Sequence, residues 1–186
     1  MGLLISGLLL WSFVHFVPSL MPGLKQSWKG ALGEGGYMGS FSVLLLIALV
    51  LIVFGWRSST PTLVYMADPA LRSVGIGLMV LALILFVASK PPTSIKRFLR
   101  HPQLSSVVVW SIAHLLMNGD SRSVVLFGGL LLWAILQMLF INRREGAWQK
   151  PEAPGLISDI KVLVIGAVVF GVVAWLHPYL AGVPVF

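Results

Sequence analysis

Two histidines stand in stretches that are otherwise almost wholly apolar. His15 lies in LWSFVHFVPSL and His114 in VVVWSIAHLLM. A neutral imidazole carries one N–H donor and one lone pair, and it is the commonest side-chain ligand for a metal. An ionisable group among apolar neighbours is costly in lipid and therefore points to function. Each histidine has a tryptophan four residues before it, Trp11 and Trp110, and a serine three before it, Ser12 and Ser111. On a helix that spacing puts all three on one face. The serines could satisfy the rings, and the tryptophans could pack against them or wall a slot for a planar cofactor. The chain has no cysteine and no acidic residue inside its apolar stretches, so a zinc or dinuclear site is hard to assemble. Two imidazoles on facing helices suit a b-type haem, whose apolar ring sits between helices while the iron takes axial nitrogens. The residues leave the other reading open: histidines bonded to a neighbouring carbonyl or hydroxyl, with no metal.

Other polar groups have structural readings beside their chemical ones. His177 is near the end of the last apolar stretch and His101 opens the fourth. Arg100 and Arg97 precede the fourth stretch and Arg122 follows it, where each could pair with a cofactor carboxylate or serve only to orient the chain. Asn118-Gly119-Asp120 reads as a helix stop followed by a new start, with Asp120 or Ser121 as N-cap. Gly128-Gly129 permits close approach of a helix or flat ligand. Pro18 removes an amide that would bond the Val14 carbonyl, which predicts a kink next to His15.

The elements that must position these groups follow from composition. Of 186 residues 58% are hydrophobic and 10% charged, more apolar surface than a soluble domain could hide from water. Six stretches are long enough to cross a bilayer core of roughly 30 Å: Leu3–Pro22, Met38–Trp56, Ser73–Ser89, Pro102–Met117, Ser123–Ile141 and Val162–Ala181. None contains Asp, Glu, Lys or Arg. Helices are required, because lipid offers the backbone no outside partner and nothing alternates like a barrel strand. The expected fold class is all-α: a polytopic membrane helix bundle of about six transmembrane helices, forming one domain over residues 1–186.

Basic residues set the orientation. One side of a six-span chain carries Lys25, Lys29, Lys90, Lys96, Arg97, Arg100, Arg143, Arg144, Lys150 and Lys161, and the other only Arg57, Arg72 and Arg122. The first side is cytoplasmic by the positive-inside rule, which puts both termini outside. The net charge of +7 is then a topogenic signal of short loops and implies no nucleic-acid partner. The first stretch lacks a basic leader and a small-residue cleavage site, so it reads as retained. His15 then lies roughly 10 Å, and His114 roughly 18 Å, from the cytoplasmic face. The longest connections are 23–37, 57–72 and 142–161, and Pro92–Arg100 reads as a short amphipathic turn with Ser94 as its N-cap. No internal repeat is apparent, and coupled transport is disfavoured by the lack of repeats and intramembrane carboxylates.

Several motifs taken together carry a resemblance. Arg100-His101-Pro102-Gln103, Trp110 with Ala113-His114-Leu115, Asn118-Gly119-Asp120, Phe127-Gly128-Gly129, Asn142-Arg143-Arg144 and His177-Pro178-Tyr179-Leu180 resemble the NnrU family of bacterial inner-membrane proteins. The same string is similar to the 15-cis-zeta-carotene isomerases of plants and cyanobacteria. The resemblance implies a b-type haem held by His15 and His114; Trp110 and Arg100, from their places in the sequence, are the further candidate cofactor contacts. It implies a role in nitrite and nitric oxide metabolism as a sensor, electron carrier or accessory to a membrane reductase. It offers a haem-dependent cis–trans isomerase acting on an apolar polyene as the alternative, and a cofactor-free transporter or assembly factor remains a third reading. The isomerases have a cysteine where this chain has Ser111, so a thiolate ligand there is absent and isomerase activity is put in doubt.

Overall fold

The structure, a computed structural model, describes residues 1–185. Among them are six α-helices: α1 (Gly2–Leu20), α2 (Pro22–Ser58), α3 (Arg72–Ala88), α4 (Pro102–Met117), α5 (Ser121–Glu145) and α6 (Leu156–Ala181). Five are long and apolar enough to cross a membrane. The sixth, α4, has 16 residues, a rise of about 24 Å against a hydrocarbon core of roughly 30 Å. The protein is an all-α, multi-pass membrane protein, as the hydropathy requires.

One expectation is corrected. The connection 23–37 is not a loop, because α2 begins at Pro22 and includes it. At 37 residues a straight α2 would span about 56 Å, well beyond the bilayer core. Gly33, at φ 71°, breaks it. The break is bridged by the Lys29–Glu34 ion pair at 2.6 Å and by the Trp28 ring set edge-on to Tyr37 at 5.1 Å.

The helices fall into two compact units, one of Met1–Ala67 with Asn118–Ala147 and one of Asp68–Met117 with the described part of Trp148–Phe186. In the first unit α1 packs between α2 and α5. Its core is Leu4, Leu8 and Ile52, with Trp11, Val125, Leu126 and Leu130 against it. Gly55 of α2 meets the backbone of Leu3 and Leu4, and a Cβ on Gly7 would lie 2.8 Å from the Ala48 carbonyl, so any side chain would force these backbones apart. Gly129, not Gly128, faces α1, where a Cβ would come 3.1 Å from Leu8.

One end of this unit is closed by a short β-bridge between Leu63 and Asp120. The Val64 and Tyr65 amides donate to the Gly119 carbonyl at 2.9 and 3.1 Å, and the Ser121 amide donates to Thr62 at 2.8 Å. Gly119 is required because a Cβ there would collide with the Tyr65 carbonyl. Asp120 caps α5 by accepting from the Arg122 and Ser123 amides. Partial burial pushes its carboxyl up, but the Ser123 hydroxyl and amide, the Arg122 amide and the Arg122 charge together hold it below the usual carboxylate range. Arg122 lies over the Trp56 ring at 4.7 Å.

In the second unit α3 packs against α4 and α6. The turn before α4 is a 3-10 segment, Ser94–Arg97, and its cap is Thr93, one residue earlier than the sequence suggested. Ser94 is not the cap because its amide is taken by Asp159 of α6 at 2.8 Å, and the Thr93 hydroxyl donates to the same carboxylate at 2.6 Å. Phe98, just after it, is 80% exposed, an apolar group suited to the lipid interface.

Candidate functional site

His15 belongs to the first unit and His114 to the second, and each site is built locally. Along α1 the His15 ring turns back one helical turn, and Nδ1 lies 2.9 Å from the Trp11 carbonyl. A carbonyl can only accept, so Nδ1 carries the proton and Nε2 the lone pair. Trp11, Trp133 of α5 and Phe41 of α2 surround the ring at centroid distances of 4.5, 4.9 and 5.9 Å. Gln137, one turn beyond Trp133, ties α5 to α1 by donating to the His15 carbonyl at 3.2 Å and to the Ser19 hydroxyl at 2.9 Å. Ser19 donates to the same carbonyl at 3.3 Å.

Three polar atoms here are buried without a partner among the described residues: Trp11 Nε1, Trp133 Nε1 and Gln137 Oε1. Leaving such a group unpaired costs about 1–3 kcal/mol. The aromatic box therefore has unused hydrogen-bonding capacity beside a lone pair, which fits a bound group with polar edges. Trp133, Gln137 and Phe41 were not singled out in the sequence. Gln137 could have been, as the sole amide within the apolar run Ser123–Ile141.

His114 repeats the local geometry on α4. Its Nδ1 lies 2.9 Å from the Trp110 carbonyl and its ring 5.0 Å from the Trp110 ring. The serine partners considered from sequence are not used: Ser111 is fully buried and its hydroxyl has no partner among the described residues. Trp110 also lines an apolar cavity of about 190 Å³ with Ala82, Leu83, Phe86, Ser106 and Val107. Arg100 precedes α4 and so stands at the opposite end of that helix from His114, roughly 20 Å along its axis. His177 Nδ1 donates to the Val183 carbonyl at 2.6 Å. Among the described residues no group of three or more His, Cys, Asp or Glu comes together as a metal site. What the histidines offer is one imidazole each, in the tautomer whose Nε2 ligates metals.

A family model for the NnrU protein matches residues 3–185. The chain belongs to the NnrU family. No curated protein and no solved structure gave a match. The NnrU match runs through both units, so it includes both Trp-Ser-x-x-His segments, at 11–15 and 110–114.

Proposed function

We propose that this NnrU-family membrane protein binds b-type haem, with His15 and His114 as its imidazole ligands. We further propose a role in nitrite and nitric oxide metabolism, as sensor, electron carrier or accessory to a membrane reductase. The observation that supports haem is the ring chemistry. Both imidazoles use Nδ1–H on the carbonyl four residues back, the arrangement that orients a ligating histidine and raises the basicity of its other nitrogen. Haem, when bound, would supply a one-electron iron centre, which could take a diatomic gas only where one of the two imidazoles gives way. Trp110 would flank the cofactor beside His114, and Arg100 is offered to a carboxylate rather than to iron. The proposed setting is a bacterial inner membrane with both termini outside. The nitrogen-oxide role rests on family membership.

The polyene isomerase reading would draw on the apolar cavity beside Trp110. At about 190 Å³ it is below the roughly 300 Å³ at which pockets begin to hold drug-sized ligands.

The deciding measurement is the visible spectrum of the detergent-purified protein. We expect a Soret band that sharpens on dithionite reduction, lost or strongly weakened in His114→Ala and retained in His101→Ala. His15→Ala should either lose haem or leave a five-coordinate iron that binds carbon monoxide. A colourless protein that also refuses added haemin refutes the proposal.

A further inference from the structure

A second cavity, of about 400 Å³, lies in the first unit where α1 gives way to α2. Its walls are Pro18, Pro22, Lys25, Gln26, Lys29 and Arg144. Residues 22, 25, 26 and 29 follow the i, i+3, i+4, i+7 spacing, so one face of α2 supplies most of the lining. Arg144 closes it from the end of α5.

The charges are unevenly matched. Lys29 Nζ holds the Glu34 carboxylate at 2.6 and 2.8 Å. Arg144 donates through Nη1 to the Pro18 carbonyl and through Nη2 to Glu145, both at 2.8 Å. Lys25 is half-buried, and its ammonium has no partner among the described residues. Three cations therefore face two carboxylates, and the excess is one positive charge on a side chain turned into a cavity. That is the complement of a monoanion with several acceptor oxygens.

The surroundings indicate what carries the anion. Leu20, Met21 and Leu24, interleaved with the lining residues, are 43–47% exposed. The cavity also adjoins the C-terminal end of α1, a helix long and apolar enough to cross a membrane, and the end of such a span is where headgroups begin. A charged head beside an apolar flank describes an amphiphile, and basic pockets of this kind at helix ends hold lipid headgroups.

We infer that this cavity is a binding site for a phosphodiester anion, with Lys25 as its principal cation and an anionic phospholipid as the source. The test is native mass spectrometry of the full chain in detergent with equal amounts of phosphatidylglycerol and phosphatidylcholine. The wild type should retain phosphatidylglycerol several-fold over phosphatidylcholine. Lys25→Gln should lower that retention about fivefold, the worth of one cation near a lipid surface. Lys25→Arg should keep it, and so should Arg57→Gln, which removes the same charge far along α2. Gln26→Lys, adding a cation to the same cavity, should raise it about fivefold. Millimolar inorganic phosphate that displaces the lipid would assign the same anion site to soluble phosphate, and lipid that stays would assign it to the headgroup. Equal retention of the two lipids by the wild type, or retention unmoved in both Lys25→Gln and Gln26→Lys, overturns the inference.

Discussion

The same five-residue pattern, Trp-Ser-x-x-His, occurs once in each compact unit, and the two copies share one local geometry with different walls. At 11–15 and at 110–114 the histidine turns back to the tryptophan carbonyl at 2.9 Å. Helical spacing dictates that much. Around His15, however, α2 and α5 add Phe41, Trp133 and Gln137, while His114 stands against Trp110, which itself lines a small apolar cavity. Local sequence fixes the tautomer of such a ring, and tertiary packing fixes what it can meet.

The comparison is broken most severely by destroying one set of walls. Gly55→Val forces a side chain into the α1 backbone and should destabilise the first unit by about 3 kcal/mol, the upper range for overpacking. Gly75→Ala in the second unit meets only the flexible end of Met117 and should cost under about 1 kcal/mol. Thermal unfolding in detergent reads both, and equal costs would remove the distinction between the two close approaches.

A smaller change sharpens it. Gln137→Leu removes the donors to His15 and Ser19 and should cost about 0.6–2 kcal/mol. It should alter the tryptophan fluorescence of the His15 box. A spectrum identical to wild type would mean that α5 does not shape the box.

The latch made by the Leu63–Asp120 bridge is expected to respond to acid. Asp120 has its folded pKa held below the unfolded value of about 3.9. Its stabilising contribution is therefore complete well above that value and is lost as pH falls through the lower, folded one. The protection factors of the Val64 and Tyr65 amides, which remove the intrinsic pH dependence of exchange, should be flat from about pH 8 to 5 and fall only in stronger acid. Asp120→Asn should abolish that dependence, and protection already falling near pH 6 would implicate another group.

The smallest expected effect is at Ser111. Its hydroxyl is buried without a partner among the described residues, so Ser111→Ala should fall within about 0.5 kcal/mol of wild type or stabilise slightly. A loss above about 1 kcal/mol would reveal a hydrogen bond the fold does make.

Much of this was legible in the sequence because lipid enforces simple rules. The sequence bounds α4 at Pro102–Met117, as in the structure, since Pro102 fits the first helical turn and Asn118-Gly119 breaks the last. The stretch 23–37 misled because its lysines and glycines resemble loop composition, whereas a helix leaving the bilayer can continue with a polar face. The box around His15 was hidden for another reason. Trp133 and Gln137 come from more than a hundred positions away and Phe41 from another helix, and no local period records which helices become neighbours.

The interleaving of the two units has a consequence for the nascent chain. Gln137 is made 122 residues after His15, a delay of roughly 6–24 s at ordinary rates of synthesis. During that interval α1 and α2 are in place with one side of the His15 box uncovered, and α3 and α4 are made before either unit is complete. A ribosome that stopped at Met117 would have delivered both histidines and finished neither unit. Assembly of the first site therefore waits for α5, and that of the second unit for α6, so maturation follows the order in which the last helices emerge.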